Sequence, residues 1–100
     1  MEKRSPHYPL EQVKLAVAQR GVLAFTRSSM DGAAQMGLNS GEMMAAVSGV
    51  TRAMFYESMT TLRDARVWQD VYHVPTRAGL AYVKFTLRED GAIVISFKRK

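Results

Sequence analysis

The sequence predicts an α+β fold in which helices pack on one face of a small antiparallel sheet. Apolar side chains recur at helical spacing in the first half of the chain, whereas the second half holds three segments rich in β-branched and aromatic residues. With 100 residues and 47% hydrophobic content, the chain supplies enough apolar material for one core. We therefore expect residues 1–100 to form a single domain.

Residues 9–59 are predicted to hold four helices and one short strand. Apolar residues at helical spacing, with Gly21 at the end, predict a helix over 9–20, and the apolar run VLAFT predicts a strand over 22–26. Serine and threonine residues that suit helix starts, together with glycine stops, mark the others. These predicted helices run from Ser28 or Ser29 to Met36 with Gly37 as the stop, from Ser40 to Gly49, and from Thr51 through Phe55 and Met59.

The second half is predicted to form three consecutive antiparallel strands over 67–74, 80–87 and 92–98. We expect a three-residue loop, Glu89-Asp90-Gly91, with Gly91 in the left-handed conformation, because this register collects the apolar side chains on one face. The predicted apolar pairs are Val83 with Phe97, Phe85 with Ile95, and Leu87 with Ile93.

The same register predicts a polar face on the other side of the sheet, with Tyr82 opposite Lys98 and Lys84 opposite Ser96. A four-residue connection between the first two strands adds Gln69, Val71 and His73 to this face. That connection also turns Asp70 toward Val83 and Phe85, and burying a carboxylate among apolar side chains is unfavourable. The polar face is either a functional site or the solvated side of a one-sided sheet.

Composition excludes several classes of protein. The chain has no cysteine, which rules out disulfides, thiolate metal sites and cysteine nucleophiles, and its two isolated histidines cannot form a zinc site alone, so we expect no metal and no cofactor. The first 20 residues lack the apolar run of a signal peptide, and no run suits a membrane span. We expect a cytoplasmic protein without membrane contact.

The charge is positive and unevenly distributed. The net charge is +5, and residues 51–100 carry nine Lys and Arg against five Asp and Glu, whereas residues 1–50 carry five against four. Such an excess favours a polyanionic partner, either a nucleic acid or an acidic protein. A solvated basic end is the alternative interpretation of the terminal Lys98-Arg99-Lys100.

Blocks along nearly the whole chain resemble the MqsR family of bacterial toxins. They are MEKRSPH at the start, QVK in the first helix, TRS at 26–28, MGL at 36–38, FYESMTT at 55–61, WQDVY at 68–72, YVKFT at 82–86 and the final ISFK. The resemblance implies a RelE-like fold and the activity of a messenger-RNA interferase, the toxin of a type II toxin–antitoxin module. It implies metal-independent cleavage at short triplets such as GCU.

The resemblance also implies a protein partner. This partner is a cognate, MqsA-like antitoxin with a zinc-binding domain and a helix-turn-helix domain, and operator DNA is contacted only through that antitoxin.

By the same resemblance, the catalytic positions of the family fall on Gln69, Tyr82 and Lys98. A further family position, usually lysine in the FY-x-SMTT block, is Glu57 in this chain. The pairing of Tyr82 with Lys98 also follows from hydrophobic register alone. We therefore expect Gln69, Tyr82, Lys98 and Glu57 to form the catalytic group.

RNA is cleaved without metal when its 2′-hydroxyl attacks the adjacent phosphorus, which requires a proton acceptor, a proton donor and positive charge. Lys98 supplies charge, and Tyr82 donates a proton or hydrogen bond with its pKa lowered by the neighbouring ammonium. Gln69 orients the phosphate or reads a base edge. Glu57 is a general base, a solvent-facing residue or the mark of a weakened enzyme.

Basic residues outside the catalytic group are candidates for RNA contacts, with solvated surface charges as the alternative. They are Lys84, Arg63, Arg66, Arg99 and Lys100. Trp68 either anchors its strand or stacks on a base, and neither His7 nor His73 is assigned a catalytic role. The rival function is a catalytically weak homologue that acts as an RNA-binding or antitoxin-binding module. A DNA-binding regulator is disfavoured, because no helix presents a run of basic and amide residues.

Overall fold

The computed structural model describes residues 1–87, 91 and 93–100. Within them, three α-helices accompany five strands, and every neighbouring pair of strands is antiparallel. The predicted α+β class is confirmed. The helices are α1 (Leu10–Arg20), α2 (Arg27–Gln35) and α3 (Ser40–Ser48), and the strands are β1 (Glu2–Lys3), β2 (Phe55–Thr60), β3 (Trp68–Thr76), β4 (Gly79–Phe85) and β5 (Val94–Arg99), in the spatial order β1-β2-β3-β4-β5.

One core lies between the helices and one face of the sheet. Every helix sends small or branched apolar side chains into it, such as Val13 and Val17 from α1, because these recur at helical spacing. The strands contribute alternate residues, which is the pattern of a sheet with one buried face. The strand residues in this cluster are Tyr72, Val74, Ala81, Val83, Phe85, Val94 and Phe97.

Three of the four predicted helices exist as α-helices, but two of their starts were predicted wrongly. The N-cap of α2 is Thr26, whose hydroxyl oxygen accepts from the Ser29 backbone N–H at 3.1 Å. The N-cap of α3 is Asn39, which forms a reciprocal capping box with Glu42. Each cap lies before the serine that we expected, because threonine and asparagine side chains also accept hydrogen bonds from the free N–H groups.

Two predicted elements are wrong. The segment expected to be a strand over 22–26 is a 3₁₀-helix at Gly21–Ala24, and Phe25 makes only an isolated parallel bridge to Val94. The helix expected from Thr51 through Met59 is a short 3₁₀-helix, Arg52–Met54, followed by strand β2. Pairing with β1 on one side and β3 on the other overrides the local helix preference.

The register of β4 with β5 is confirmed over three pairs and then shifts. Val83 pairs with Phe97, and the two polar pairs described above are also present. Phe85 then pairs with Val94 rather than Ile95, so the prediction fails beyond an irregularity in the ladder. Leu87 lies outside β4 and is exposed, which corrects its expected pairing with Ile93.

Gly91 adopts a φ of 86°, as the expected loop requires. Glu89 and Asp90 of that loop, and Ala92 at the start of the predicted last strand, lie outside the described residues.

Asp70 resolves the difficulty that the sequence raised for the first hairpin. It pairs with Phe85 and is 1% exposed, so it faces the core as predicted. The connection between β3 and β4 has two residues, Arg77 and Ala78, rather than the expected four. Its carboxylate accepts from the Ser58 hydroxyl at 2.6 Å and from the backbone N–H groups of His7 at 3.0 Å and Tyr8 at 2.8 Å. These donors replace the lost water, and they bind the N-terminal strap, residues 1–9, to the sheet.

Candidate active site

The open face of the sheet, opposite the helices, carries a row of side chains from four strands. His73 on β3 lies opposite Tyr82 on β4, and Tyr82 lies opposite Lys98 on β5. The ring of Tyr56 on β2 stacks on the ring of His73, with 4.3 Å between centroids and 23° between planes. The row therefore joins two phenols, an imidazole and an ammonium across the sheet.

An irregularity in β2 brings two consecutive residues to this face. The register of β2 with β3 shifts between Phe55 and Glu57, which leaves Tyr56 outside the regular pairing. Such a bulge turns neighbouring side chains toward one side of the sheet. Tyr56 stacks on His73, and the Glu57 carboxylate acts electrostatically on His73 and Tyr82.

Two ammonium groups flank the phenol of Tyr82. The Nζ atom of Lys84 lies 5.5 Å from the centroid of the Tyr82 ring, and the Nζ atom of Lys98 lies 5.7 Å from it. Because the two lysines come from neighbouring strands, a phosphate beside this ring is within reach of both charges. The sequence expectation that Tyr82, Lys84 and Lys98 meet on one face is confirmed by the strand register.

The protonation of the row follows from burial and from these charges. Burial lowers the pKa of His73, the charge of Lys100 lowers it further, and Glu57 acts in the opposite direction. Burial also lowers the pKa of Lys84, with an additional effect of Lys98 and again an opposing effect of Glu57. Both groups therefore hold their protons less strongly than they do in water.

The expected direction for Tyr82 is wrong. We expected the neighbouring ammonium to lower its pKa, but burial raises the pKa of Tyr82, and Glu57 and Tyr56 raise it further. Partial burial and the carboxylate disfavour the phenolate more than the lysines favour it. Tyr82 is consequently a protonated phenol at neutral pH, which suits a proton donor.

Gln69 lies on the same face but at a distance from the row. It pairs with Met59 on β2 and is four residues before His73 on β3, which corresponds to about 13 Å along the strand. Gln69 is nearer to Lys84, because Val71, which pairs with Lys84, is only two residues from Gln69 on β3. The structure thus groups Tyr82, Lys98 and Glu57, with Gln69 at the far side of Lys84.

The other predicted RNA-contacting cations occupy three different places. Lys84 lies beside the row, next to Tyr82, and the charge of Lys100 acts on His73. Arg99 donates to the Ala78 carbonyl oxygen at 2.6 Å and pairs with Ala81, so it lies on the side of the sheet opposite Lys98.

Arg63 and Arg66 lie in the β2–β3 loop. The Arg66 guanidinium donates to the Asp64 carboxylate at 3.1 and 3.2 Å, which raises its pKa and lowers that of Asp64.

Trp68 is covered by the N-terminal strap rather than offered to a ligand. The His7 ring stacks on the indole with 4.9 Å between centroids and 10° between planes, and the Nζ atom of Lys3 lies 4.3 Å from the ring centroid. The Trp68 carbonyl oxygen accepts from the hydroxyl groups of Tyr8 and Thr86. These contacts favour the interpretation that Trp68 anchors its strand over the interpretation that it stacks on a base.

Two grooves adjoin the ends of the row. One, of 610 Å³, lies beside β2, and the other, of 450 Å³, lies between α2 and β5. The first is lined by Glu2, Lys3, Arg4, Arg52, Phe55, Tyr56 and Glu57, and the second by Ser28, Asp31, Gly32, Gln35, Ser96, Phe97 and Lys98. A chain-like ligand that crosses the row has a groove to enter at either side.

Sequence reasoning missed two members of the row, Tyr56 and His73. The bulge that turns Tyr56 outward leaves no hydrophobic pattern that could have revealed it. His73 could have been identified from the sequence, because the expected four-residue connection already placed it on the polar face. Its distance from the WQDVY core led us to leave it without a role.

Within residues 1–87, 91 and 93–100, no three His, Cys, Asp or Glu side chains cluster in a way that could hold a metal ion. In the same part of the chain, none of the helices has the length and apolar character needed to cross a membrane.

Fold and site together define a small α+β protein with a cationic, tyrosine-containing site on one open sheet face. The chain belongs to the MqsR toxin family: the family described as "Motility quorum-sensing regulator, toxin of MqsA" matches residues 5–99. A curated relative, the mRNA interferase toxin MqsR of Escherichia coli (strain K12), is 41% identical over 100 residues and is covered, like this chain, over 100% of its length.

Proposed function

We propose that this chain is the toxin of a type II toxin–antitoxin module and that it cleaves messenger RNA as a metal-independent endoribonuclease in the cytoplasm. The family match and the relative named an mRNA interferase toxin support this activity. The single observation that carries the proposal is the Tyr82 phenol flanked by the ammonium groups of Lys84 and Lys98.

The two lysines neutralise the charge that develops on the phosphate. Attack by the 2′-hydroxyl converts a phosphate with one negative charge into a phosphorane with two, so fixed positive charge lowers the barrier. Lys98 is exposed and Lys84 is half-buried, and their strands hold them beside the same ring. Lys98 is the main contact of the nonbridging oxygens, and Lys84, with its lowered pKa, also supplies a hydrogen bond.

Tyr82 donates the proton that the departing 5′-oxygen requires. Its raised pKa keeps the phenol protonated at neutral pH, and both flanking ammonium groups stabilise the phenolate that remains after the transfer. The products are a 2′,3′-cyclic phosphate and a 5′-hydroxyl.

Gln69 binds the substrate beyond the reacting phosphate. An amide cannot titrate, and Gln69 is about 13 Å along β3 from the residue opposite Tyr82. We assign to it a base edge or a neighbouring phosphate, which agrees with a preference for short triplets such as GCU.

Glu57 adds a carboxylate to the same site. Its charge acts on His73, Tyr82 and Lys84, and within the described residues it forms no ion pair within 4.0 Å. It is therefore a proton acceptor candidate or a group that sets the protonation of its neighbours. Glu57→Gln removes the negative charge, so a changed cleavage rate would show that the carboxylate has one of these two roles.

The substrate is a single strand that crosses the sheet. The grooves beside β2 and between α2 and β5 extend the row on both sides, and the first contributes the cations Lys3, Arg4 and Arg52. Arg63 and Arg66 in the β2–β3 loop and Lys100 beside the row contribute further phosphate contacts, and binding weakens as salt rises. Arg99, on the opposite side of the sheet, contributes long-range charge only.

The protein partner is a cognate antitoxin of the MqsA type, with a zinc-binding domain and a helix-turn-helix domain. The family description names the chain's class as a toxin of MqsA. Operator DNA is then contacted only through the antitoxin, which also regulates the operon.

The alternative function is a catalytically weak homologue that binds RNA or antitoxin without cutting. Glu57 favours it, because an anion in a phosphate site opposes the substrate's charge. This protein would retain salt-dependent RNA binding and fail to cleave.

The test is cleavage of a defined messenger RNA in excess EDTA, with cuts mapped by primer extension. We expect discrete cuts by the wild type and a loss of about 100-fold or more for Lys98→Ala. Lys14→Ala is the matched control, because Lys14 lies on α1, where its ammonium donates to the Val50 carbonyl oxygen. Cuts only after Glu57→Lys would establish the binding module, and equal cutting by Lys98→Ala would contradict the proposed site.

A further inference from the structure

His73 is a titratable side chain at the centre of the row that the proposed cleavage has not used. Its ring lies between Tyr56, at 4.3 Å between centroids, and Tyr82, at 5.8 Å. The side chain is half-buried, and within the described residues neither ring nitrogen has a hydrogen-bond partner inside the protein. Both nitrogens are thus available to a ligand.

We propose that His73 is the proton acceptor of the cleavage reaction, and that its imidazole takes the proton of the attacking 2′-hydroxyl. This inference rests on the proposed ribonuclease function and deepens it. It makes His73 a catalytic residue, and it leaves Glu57 to act on His73 through its charge.

Stacking on Tyr56 fixes the orientation of the imidazole. The two rings are 23° from parallel, so Tyr56 covers one face of the His73 ring. A covered face leaves the ring edge, where both nitrogens lie, as the part that contacts substrate. A proton acceptor needs this kind of fixed approach, because proton transfer requires hydrogen-bond distance to the hydroxyl.

Burial, together with the neighbouring Lys100 ammonium, favours the unprotonated imidazole of His73 at neutral pH. Burial and the Lys100 ammonium lower its pKa below the ordinary value of 6.5, and the Glu57 carboxylate limits the decrease. An imidazole with a pKa somewhat below the working pH is both free to accept a proton and basic enough to do so. The titratable and charged groups that face it are Tyr56 and Glu57 from β2, Tyr82 and Lys84 from β4, Lys98 from β5 and Lys100 directly after β5.

The reaction then balances between two neighbouring rings. His73 accepts the 2′-hydroxyl proton as the 2′-oxygen bonds to phosphorus, and Tyr82 gives its phenolic proton to the 5′-oxygen as the bond from phosphorus to that oxygen breaks. Imidazolium and phenolate remain. Because the rings are 5.8 Å apart, a water molecule can return the proton from His73 to Tyr82, which restores the starting state.

The experiment measures the cleavage rate against pH for the wild type, His73→Phe and Glu57→Gln. His73→Phe retains a flat ring on Tyr56 and removes both nitrogens, and thermal unfolding checks that the fold is kept. For the wild type we expect the rate to fall with decreasing pH through a pKa below 6.5, since protonation removes the acceptor. For His73→Phe we expect a loss of about 100-fold or more and the disappearance of that decrease.

A substrate with sulfur in place of the 5′-oxygen separates the acceptor from the donor, because a thiolate leaves without a proton. We expect it to restore cleavage by Tyr82→Phe and to leave His73→Phe slow.

If the wild type cleaves and His73→Phe cleaves at the same rate with the same pH profile, the assignment of His73 is wrong, and the proposed function stands. The same holds if the acidic decrease disappears in Glu57→Gln and persists in His73→Phe. Absence of cleavage by the wild type would overturn the proposed function together with this inference.

Discussion

The two faces of strands β3 and β4 differ in the burial and in the hydrogen bonding of their polar side chains. On the covered face, Tyr72 and Val83 are fully buried, and the one carboxylate, Asp70, has three hydrogen-bond donors. On the open face, His73 and Tyr82 are half-buried and have ring and charge neighbours instead. The covered face fixes the register, and the register determines which open-face residues meet, since a slip of one residue would exchange the faces.

The largest effect is expected on the covered face, for Asp70→Ala. It leaves the Ser58 hydroxyl and the N–H groups of His7 and Tyr8 without their acceptor, so we expect the free energy of unfolding to fall by about 4 kcal/mol. Urea unfolding measures it. Ser58→Ala removes one of the three donors and should lower stability by only about 1 kcal/mol. Equal effects of the two variants would show that the N-terminal strap does not depend on Asp70.

The matching change on the open face is Tyr82→Phe. We expect it to reduce the cleavage rate about 100-fold, which is about 2.7 kcal/mol in the barrier, because the proton donor is lost. Stability should change little, since the hydroxyl is not part of the core. Single-turnover cleavage and thermal unfolding measure the two quantities. A large loss of stability would instead assign Tyr82 a structural role.

Gly32→Ala is expected to lower both the stability of the covered face and the activity of the open face. An added methyl group would overlap the carbonyl oxygen of Phe97, so α2 must move away from β5, at about 2 kcal/mol of stability. Because Lys98 follows Phe97, cleavage should fall as well. Gly49→Ala is the control, since its added methyl group meets only ordinary contacts at 3.6 and 3.7 Å. An active, fully stable Gly32→Ala protein would contradict this close packing of α2 on β5.

The smallest effect is expected for Tyr72→Phe, the counterpart of Tyr82→Phe on the covered face. The Tyr72 hydroxyl is buried without a hydrogen-bond partner among the described residues, and burial raises its pKa to about 12. Removing an unsatisfied hydroxyl should leave stability unchanged or raise it by up to about 1 kcal/mol. Cleavage should be unaffected. A clear decrease in urea midpoint would mean that this hydroxyl has a partner in solution.

The sequence predicted the fold where hydrophobic alternation is regular. Pairs such as Val83 with Phe97 were correct because burial penalises every other register. The prediction failed at Phe85, which pairs with Val94, because Val94 and Ile95 are both apolar and residue type does not show which of them faces the core. It failed for β2 because pairing with β1 and β3 is a long-range effect, which a local reading does not contain.

The candidate site was predictable to a similar extent. Tyr82, Lys84 and Lys98 lie on regular strands, so their meeting could be read from the chain. Tyr56 lies at a bulge, so its position on the open face could not be predicted from the sequence. The protonation of Tyr82 was predicted in the wrong direction, because burial depends on the neighbouring strands and not on the lysines alone.

The contact between the N-terminal strap and Trp68 provides an optical signal. Trp68 is the chain's single tryptophan, and its indole lies against His7 and Lys3. Indole emission depends on such neighbours, so the intrinsic fluorescence of the unlabelled protein reports whether the strap is docked on β3. The same spectrum can be followed during unfolding or on addition of RNA or antitoxin, which gives docking of the strap a readout independent of cleavage.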